Sequence, residues 1–428
     1  MKKILSVFVV VVCMLFAFSL TACDQEEGKV YYLNFKPEQD ADWQKLAKKY
    51  TELTGVEVKV VTAASGTYET TLTAELDKDE APTLFQINGV VGYNSWKNYC
   101  LDLTNTDLHK ELTSNDFAVM SDGKVYGIAY VYEGYGIIVN KKLLKEAGYE
   151  ISDIDSFADL KEVAEDITSR KDTLGFSAFT SAGLDGSSSW RFSGHLANMP
   201  LFYEFEADNI TSQPATIKGT YLDAFKNVWD LYINNSTVSP SVLPSKTGTD
   251  TLADFTTGKA VFYQNGTWEY SNVIQEGSVV SSKDLGYLPI YMGIRDEKQG
   301  LSCGTENYWA VNSQARKEDQ QATLEFLKWV VTSEEGTTAL AKDMGFVSPF
   351  KKAKPVDNVL CNIMNEYVAE GCYNVSWAFN YTPKVDTWRS GVVDALAAYS
   401  QTQNDTNWDK VKTAFVKGWA DEYVKQNQ

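Results

Sequence analysis

The chain is 428 residues long, 44% apolar and 13% aromatic, with 57 acidic residues against 39 basic ones and a net charge of −18. A surface so acidic repels nucleic-acid phosphate and excludes that class of partner. Two histidines far apart, His109 and His195, do not have the spacing of a catalytic zinc site, so no metal or other cofactor is expected.

The first element is a signal. Lys2 and Lys3 precede an uncharged run from Ile4 to Leu20, and Leu20-Thr21-Ala22 leads directly into Cys23. This layout is that of a secretory signal, and small residues followed by cysteine resemble a bacterial lipobox. Residues 1–22 are therefore expected to be removed and Cys23 lipidated, with 23–29 as a polar tether, the alternative being a transmembrane helix that happens to end in a cysteine; two acyl chains give stable anchoring where one is reversible. Loss of Lys2 and Lys3 takes the net charge from −18 to −20. About 405 residues remain, more than one hydrophobic core usually serves, so two lobes are expected.

Strands and helices then alternate. Val30 to Asn34 reads as a strand; Trp43, Leu46, Ala47, Tyr50 and Leu53 recur at helical spacing, with Gly55 where a C-cap glycine belongs. Val56–Val61 is a strand, Tyr68–Leu76 a helix and Thr83–Ile87 a strand. This order implies a parallel sheet with right-handed crossovers, and ligands of such sheets sit at the carboxyl ends of strands. Gly123 to Asn140 gives two strands with a turn at Glu133-Gly134. Helices follow at Phe157–Ser169 and Tyr221–Ile233, and a glycine- and serine-rich loop, Ser181 to Ser189, runs into Trp190-Arg191. Ala260–Gln264 is a strand before Trp268, Glu318–Val331 an amphipathic helix, and three helical stretches near 356–370, 385–399 and 408–424 close the chain.

Cys361 and Cys372 bracket a predicted helix, which separates them by about 16 Å, beyond the roughly 7 Å a disulfide bridges. Free buried thiols are expected for these and for Cys100 and Cys303, a Cys100–Cys303 bridge being the alternative.

Seven stretches resemble the extracellular solute-binding family of carbohydrate ABC importers, related to maltose-binding protein: VYYLNFK at 30–36, ASGTYETTL at 64–72, PTLFQING at 82–89, EGYGIIVN at 133–140, VFYQNGTW at 261–268, GTENYW at 304–309 and GFVSPF at 345–350. The resemblance implies an α/β, two-lobed periplasmic-binding-protein-like fold with hinge crossings and a ligand cleft between the lobes. It implies an N-lobe of 30–134 plus 286–345 and a C-lobe of 135–285 plus 346–428, with crossings near Glu133–Asn140, Lys283–Leu288 and Phe346–Phe350. It further implies a monomeric binder, not an enzyme, that hands a sugar to permease subunits in the membrane, anchored on the extracytoplasmic face.

Sugar binding needs flat aromatics against CH-rich faces and oriented polar groups around the hydroxyl rim. The 11 tryptophans and 24 tyrosines supply a surplus of rings. Candidate contacts at the strand ends of the first lobe are Asn34, Phe35, Ser65, Gly66 and Asn88; at the crossing, Glu133 and Tyr135; between a glycine turn and an aromatic strand, Glu306 and Asn307; in the second lobe Trp190, Arg191, Trp268, Glu269, Trp377 and Phe379. For each the competing role is core packing or, for Arg191, an ion pair; His195 is read as structural. The acids among them favour a neutral oligosaccharide. Two alternatives use the same residues: a surface glycoside hydrolase drawing a carboxylate pair from Glu133, Glu269 and Glu306, and the sugar-binding part of a sensor system.

Overall fold

The structure, a computed structural model, describes residues 28–428; the signal, Cys23 and all of the tether except Gly28 and Lys29 lie outside them. Twelve strands form two sheets: β1 (Val30–Asn34), β2 (Val58–Thr62), β3 (Leu84–Ile87), β4 (Ala118–Ser121), β5 (Lys124–Ala129), β6 (Glu133–Asn140), β7 (Ser177–Phe179), β8 (Ala260–Gly266), β9 (Leu285–Leu288), β10 (Gln299–Gly304), β11 (Tyr308–Val311) and β12 (Tyr373–Ser376). The first sheet has the order β2-β1-β3-β11-β5-β4 and the second β12-β10-β6-β8-β7, with β9 also paired to β6.

In the first lobe β1 lies parallel to β2 and β3, as the strand–helix–strand order requires. The Asp40–Thr54 helix ends where Gly55 adopts φ +81° and donates to the Thr51 carbonyl, the predicted cap. Trp43, Tyr32, Trp309 and Phe326 fill one face of the sheet and Leu33, Leu72, Phe85 and Ala310 the other. The second lobe is organised by β6, buried along all eight residues as a central strand must be. It runs antiparallel to β8, β9 and β10, and helices Val385–Gln401 and Asp405–Gln426 close the core through Trp388 and Trp419.

The crossings differ from the expected places. The chain crosses between the sheets at Tyr130–Tyr132, so Glu133 begins β6 instead of forming a turn. Residues 285–304 stay in the second sheet because the backbone of both β9 and β10 bonds to β6; the return falls at Thr305–Asn307, not at Lys283–Leu288, and 286–304 leave the first lobe. Phe346 and Phe350 pack in the first core, and Val347 bridges Tyr132, so the last crossing follows Phe350. Cys100, Cys303, Cys361 and Cys372 are free thiols.

Candidate ligand cleft between the lobes

The carboxyl ends of β1 and β3 face the ends of β8, β10 and β12 and the start of β6. Lys36, just past β1, extends into this junction and bonds Glu133 at 2.8 Å, with Glu38 at 3.5 Å. Both partners are buried, Lys36 to 8% exposure and Glu133 to 4%. Burial pulls the Lys36 pKa down, but Glu133 and Glu38 more than reverse it and keep the ammonium charged. Burial raises the Glu133 pKa against the pull of Lys36. The same ammonium sits 5.3 Å over the ring of Trp268.

Trp268 belongs to a cage of rings. It lies 5.8 Å from Trp190, 5.7 Å from Tyr135 and 5.5 Å from His195. Trp377 and Phe379, stacked on each other at 5.4 Å, complete it, each with its ring 5.0 Å from His195. Segments as far apart in sequence as Tyr135 and Phe379 thus converge on one surface, of which Trp190 and Trp268 remain partly exposed. Beside the cage Arg389 bonds Glu306 at 2.9 Å, and its guanidinium covers the Phe379 ring at 5.1 Å. Polar atoms without a protein partner among the described residues gather here: Asn88 Oδ1, Asn307 Nδ2, Trp377 Nε1, Asn380 Oδ1, Asp386 Oδ2, Arg389 Nε and His195 Nδ1. Buried polar groups rarely stay unpaired, so such a set marks a place where a polar ligand completes the bonding.

The remaining candidates divide. Asn34 is fully buried and its amide is used within the first lobe, donating to the Lys36 carbonyl at 2.8 Å and to Thr62 Oγ1 on β2 at 3.1 Å. Phe35 packs edge-on against Tyr68. Ser65 and Gly66 are exposed; Gly66 has φ +73°, and a Cβ there would lie 3.9 Å from the Gly186 carbonyl, so this loop meets the serine-rich loop of the other lobe. Tyr135 is fully buried beneath His195 and exchanges bonds with Gln264. Arg191 takes the structural one of its two readings, though without an acid: it donates to the Gln264 carbonyl and to Ser188 and Thr251 hydroxyls. We expect Arg191→Met to cost about 3 kcal/mol of stability by orphaning those acceptors, seen as a lower melting temperature with an unchanged ligand preference.

Glu269 turns into the second lobe, where its carboxylate accepts from Tyr263 at 3.1 Å and from Asn272 at 3.4 Å. Burial pushes its pKa up to about 7 against the pull of those bonds and of Arg191. The folded pKa lies above the ordinary carboxylate value, so this contribution is complete below about pH 4 and is lost as pH rises through 7. Glu269→Gln should therefore raise the melting temperature at pH 8 and leave it nearly unchanged at pH 5.

Sequence reasoning missed Arg389, Asn380 and His195. Arg389 follows Trp388 on a helix whose spacing reads as core, and only the fold turns it toward Glu306. A groove of about 780 Å³ also runs between the lobes, lined by Phe117, Tyr132, Phe202 and Tyr381. It borders the cage through Gly89, Thr305, Trp377 and Asn380, while Lys36, Glu133 and Trp268 lie outside it.

Two α/β lobes joined by three crossings, with a ring-lined polar junction between them, define a binding protein that holds its ligand between lobes. The chain belongs to the bacterial extracellular solute-binding protein family, whose model matches residues 45–360. Its place of work is accordingly extracytoplasmic, and among the described residues no helix is long and apolar enough to cross a membrane. Similar solved structures include a chitin oligosaccharide binding protein (TM-score 0.72, 19% identity, covering 93% of this chain and 100% of that one). RafE in complex with raffinose gives 0.71 at 17% identity, over 92% and 99% of the two chains. Maltose-bound MalE3 of T. maritima gives 0.70 at 17% identity, over 93% and 99%.

Proposed function

We propose that this chain is the sugar receptor of an ABC importer, held at the membrane by lipid on Cys23, and that it captures a neutral oligosaccharide for the permease. The observation that carries this reading is the cage of Trp190, Trp268, Trp377 and Phe379 set beside unpartnered amide, indole and guanidinium atoms. Rings take the CH faces of a pyranose and the polar atoms take its hydroxyls. The two cations at the junction, Lys36 and Arg389, are each paired with a carboxylate, which suits an uncharged ligand. The solved structures with sugars in their titles support the same class.

Function then follows from geometry. A ligand that touches both lobes stabilises their closed arrangement by its differential contacts, and the closed form is what a permease can distinguish. The tether keeps the receptor at high local concentration beside that permease. A calorimetric screen of maltotriose, raffinose, xylotriose and chitotriose tests the reading: one should bind at micromolar strength, about −8 kcal/mol. Release of product from a labelled oligosaccharide would instead mark a hydrolase. In cells, Cys23→Ala should free the protein from the membrane and weaken uptake while leaving its sugar affinity intact.

A further inference from the structure

We infer that His195 is a ligand-reading residue, whose imidazole hydrogen-bonds a hydroxyl of the sugar held in the aromatic cage and sets which sugar fits. The inference rests on the carbohydrate reading above. His195 is 2% exposed, yet its Nδ1 has no hydrogen-bond partner among the described residues. A buried imidazole left so is costly unless something else completes it. Its surroundings say what. The ring stacks on Tyr135 at 4.1 Å, its plane nearly parallel to the phenol, and stands edge-on to Trp190, Trp377 and Phe379. These are the same rings that would hold a sugar, so the imidazole occupies the floor of the cage; it carries both a donor and an acceptor, and the Tyr135 hydroxyl, which does too, is already bonded to Gln264.

The backbone points the same way. His195 lies in a wide helical turn, Arg191–Leu196, that feeds the Ala197–Asp208 helix, and such π turns are frequent at functional sites. Burial, with the positive charges of Arg389 and Lys36, holds the His195 pKa well below its ordinary value. The ring is therefore neutral throughout the physiological range, able to donate from one nitrogen and accept at the other. A neutral ring of this kind suits a hydroxyl, which also both donates and accepts.

The chain offers an unusually clean test because it has only two histidines. His109 lies in the first lobe with both ring nitrogens engaged, by the Thr104 carbonyl and by Asn115, and serves as an internal reference. Imidazole ¹⁵N spectra of the wild-type protein are recorded with the tightest binder among maltotriose, raffinose, xylotriose and chitotriose. We expect the His195 nitrogens to move on binding and those of His109 to stay. His195→Phe keeps a ring in the stack and should weaken that sugar about tenfold or more, while reducing discrimination among the four; His195→Gln should recover part of the loss. If one sugar binds but the His195 signals do not move, or His195→Phe binds all four as the wild type does, the inference fails and the carbohydrate reading stands. If none of the four binds, both fall.

Discussion

Trp268→Ala should weaken binding of the best sugar by about 100-fold, with Trp268→Phe losing about tenfold or less. Trp268 is the ring to which both lobes contribute: the first supplies the Lys36 ammonium over its face, the second the rings of Trp190, Tyr135 and His195. Truncating a central aromatic at a binding surface typically costs 2 kcal/mol or more, and here the alanine removes the stacking face together with the platform that shapes its neighbours. Phenylalanine keeps a flat face of smaller area and so retains part of the interaction. Titration by calorimetry, with melting temperatures recorded alongside, separates binding from folding. An unchanged dissociation constant in Trp268→Ala would remove the cage from the binding site.

Lys36→Met should destabilise the protein by about 3–5 kcal/mol, because it leaves the Glu133 carboxylate buried without its counter-ion. For lobes of this size the loss corresponds to a fall in melting temperature on the order of 10 °C. The pair joins the β1 loop to the first residue of β6, so the damage falls on the lobe junction and sugar binding should weaken with it. The pH dependence carries the sign of the mechanism. Glu133 already has a raised pKa from burial, and without Lys36 it rises further. A raised folded-state pKa confers stability below the ordinary carboxylate value that is lost as pH increases, so the Lys36→Met defect should narrow at pH 5 and be full at pH 8. Lys36→Met combined with Glu133→Gln should recover much of the loss at both pH values, since the buried charge is then gone. Equal defects at pH 5 and pH 8, with no recovery in the double variant, would show that the pair does not act as a unit.

Much of the first lobe was legible from local pattern. The β1–helix–β2–helix–β3 order, the Gly55 cap and the apolar spacing of Trp43, Leu46, Ala47 and Tyr50 are properties of short segments, and the fold keeps all of them. The crossings were not legible in the same way. Leu285–Leu288 looks alike whether it leaves a lobe or adds a strand to it; only the bonds of Val139 to Gly286 and its neighbours, formed across about 150 residues of sequence, hold it in the second sheet. The site divides on the same line. Glu133, Trp190, Trp268, Glu306 and Trp377 combine residue types that suit sugars with positions near strand ends or loops, a signature that local sequence carries. Tyr135 and Arg191 share that local signature, yet their polar atoms are used inside the second lobe.

By itself, then, the sequence determined the strand–helix order of this chain, its acidic surface and its family, since each depends on composition or on neighbours within a few turns, whereas the choice between free thiols and a Cys100–Cys303 bridge waited on the fold. The tertiary structure alone decided which side of each candidate meets the junction. It placed Arg389 on Glu306, turned Glu269 inward, and seated His195 beneath the tryptophans. The physical reason is that a side chain's partner is set by long-range pairing and packing, and the same residue is core or cleft according to which distant segment arrives beside it.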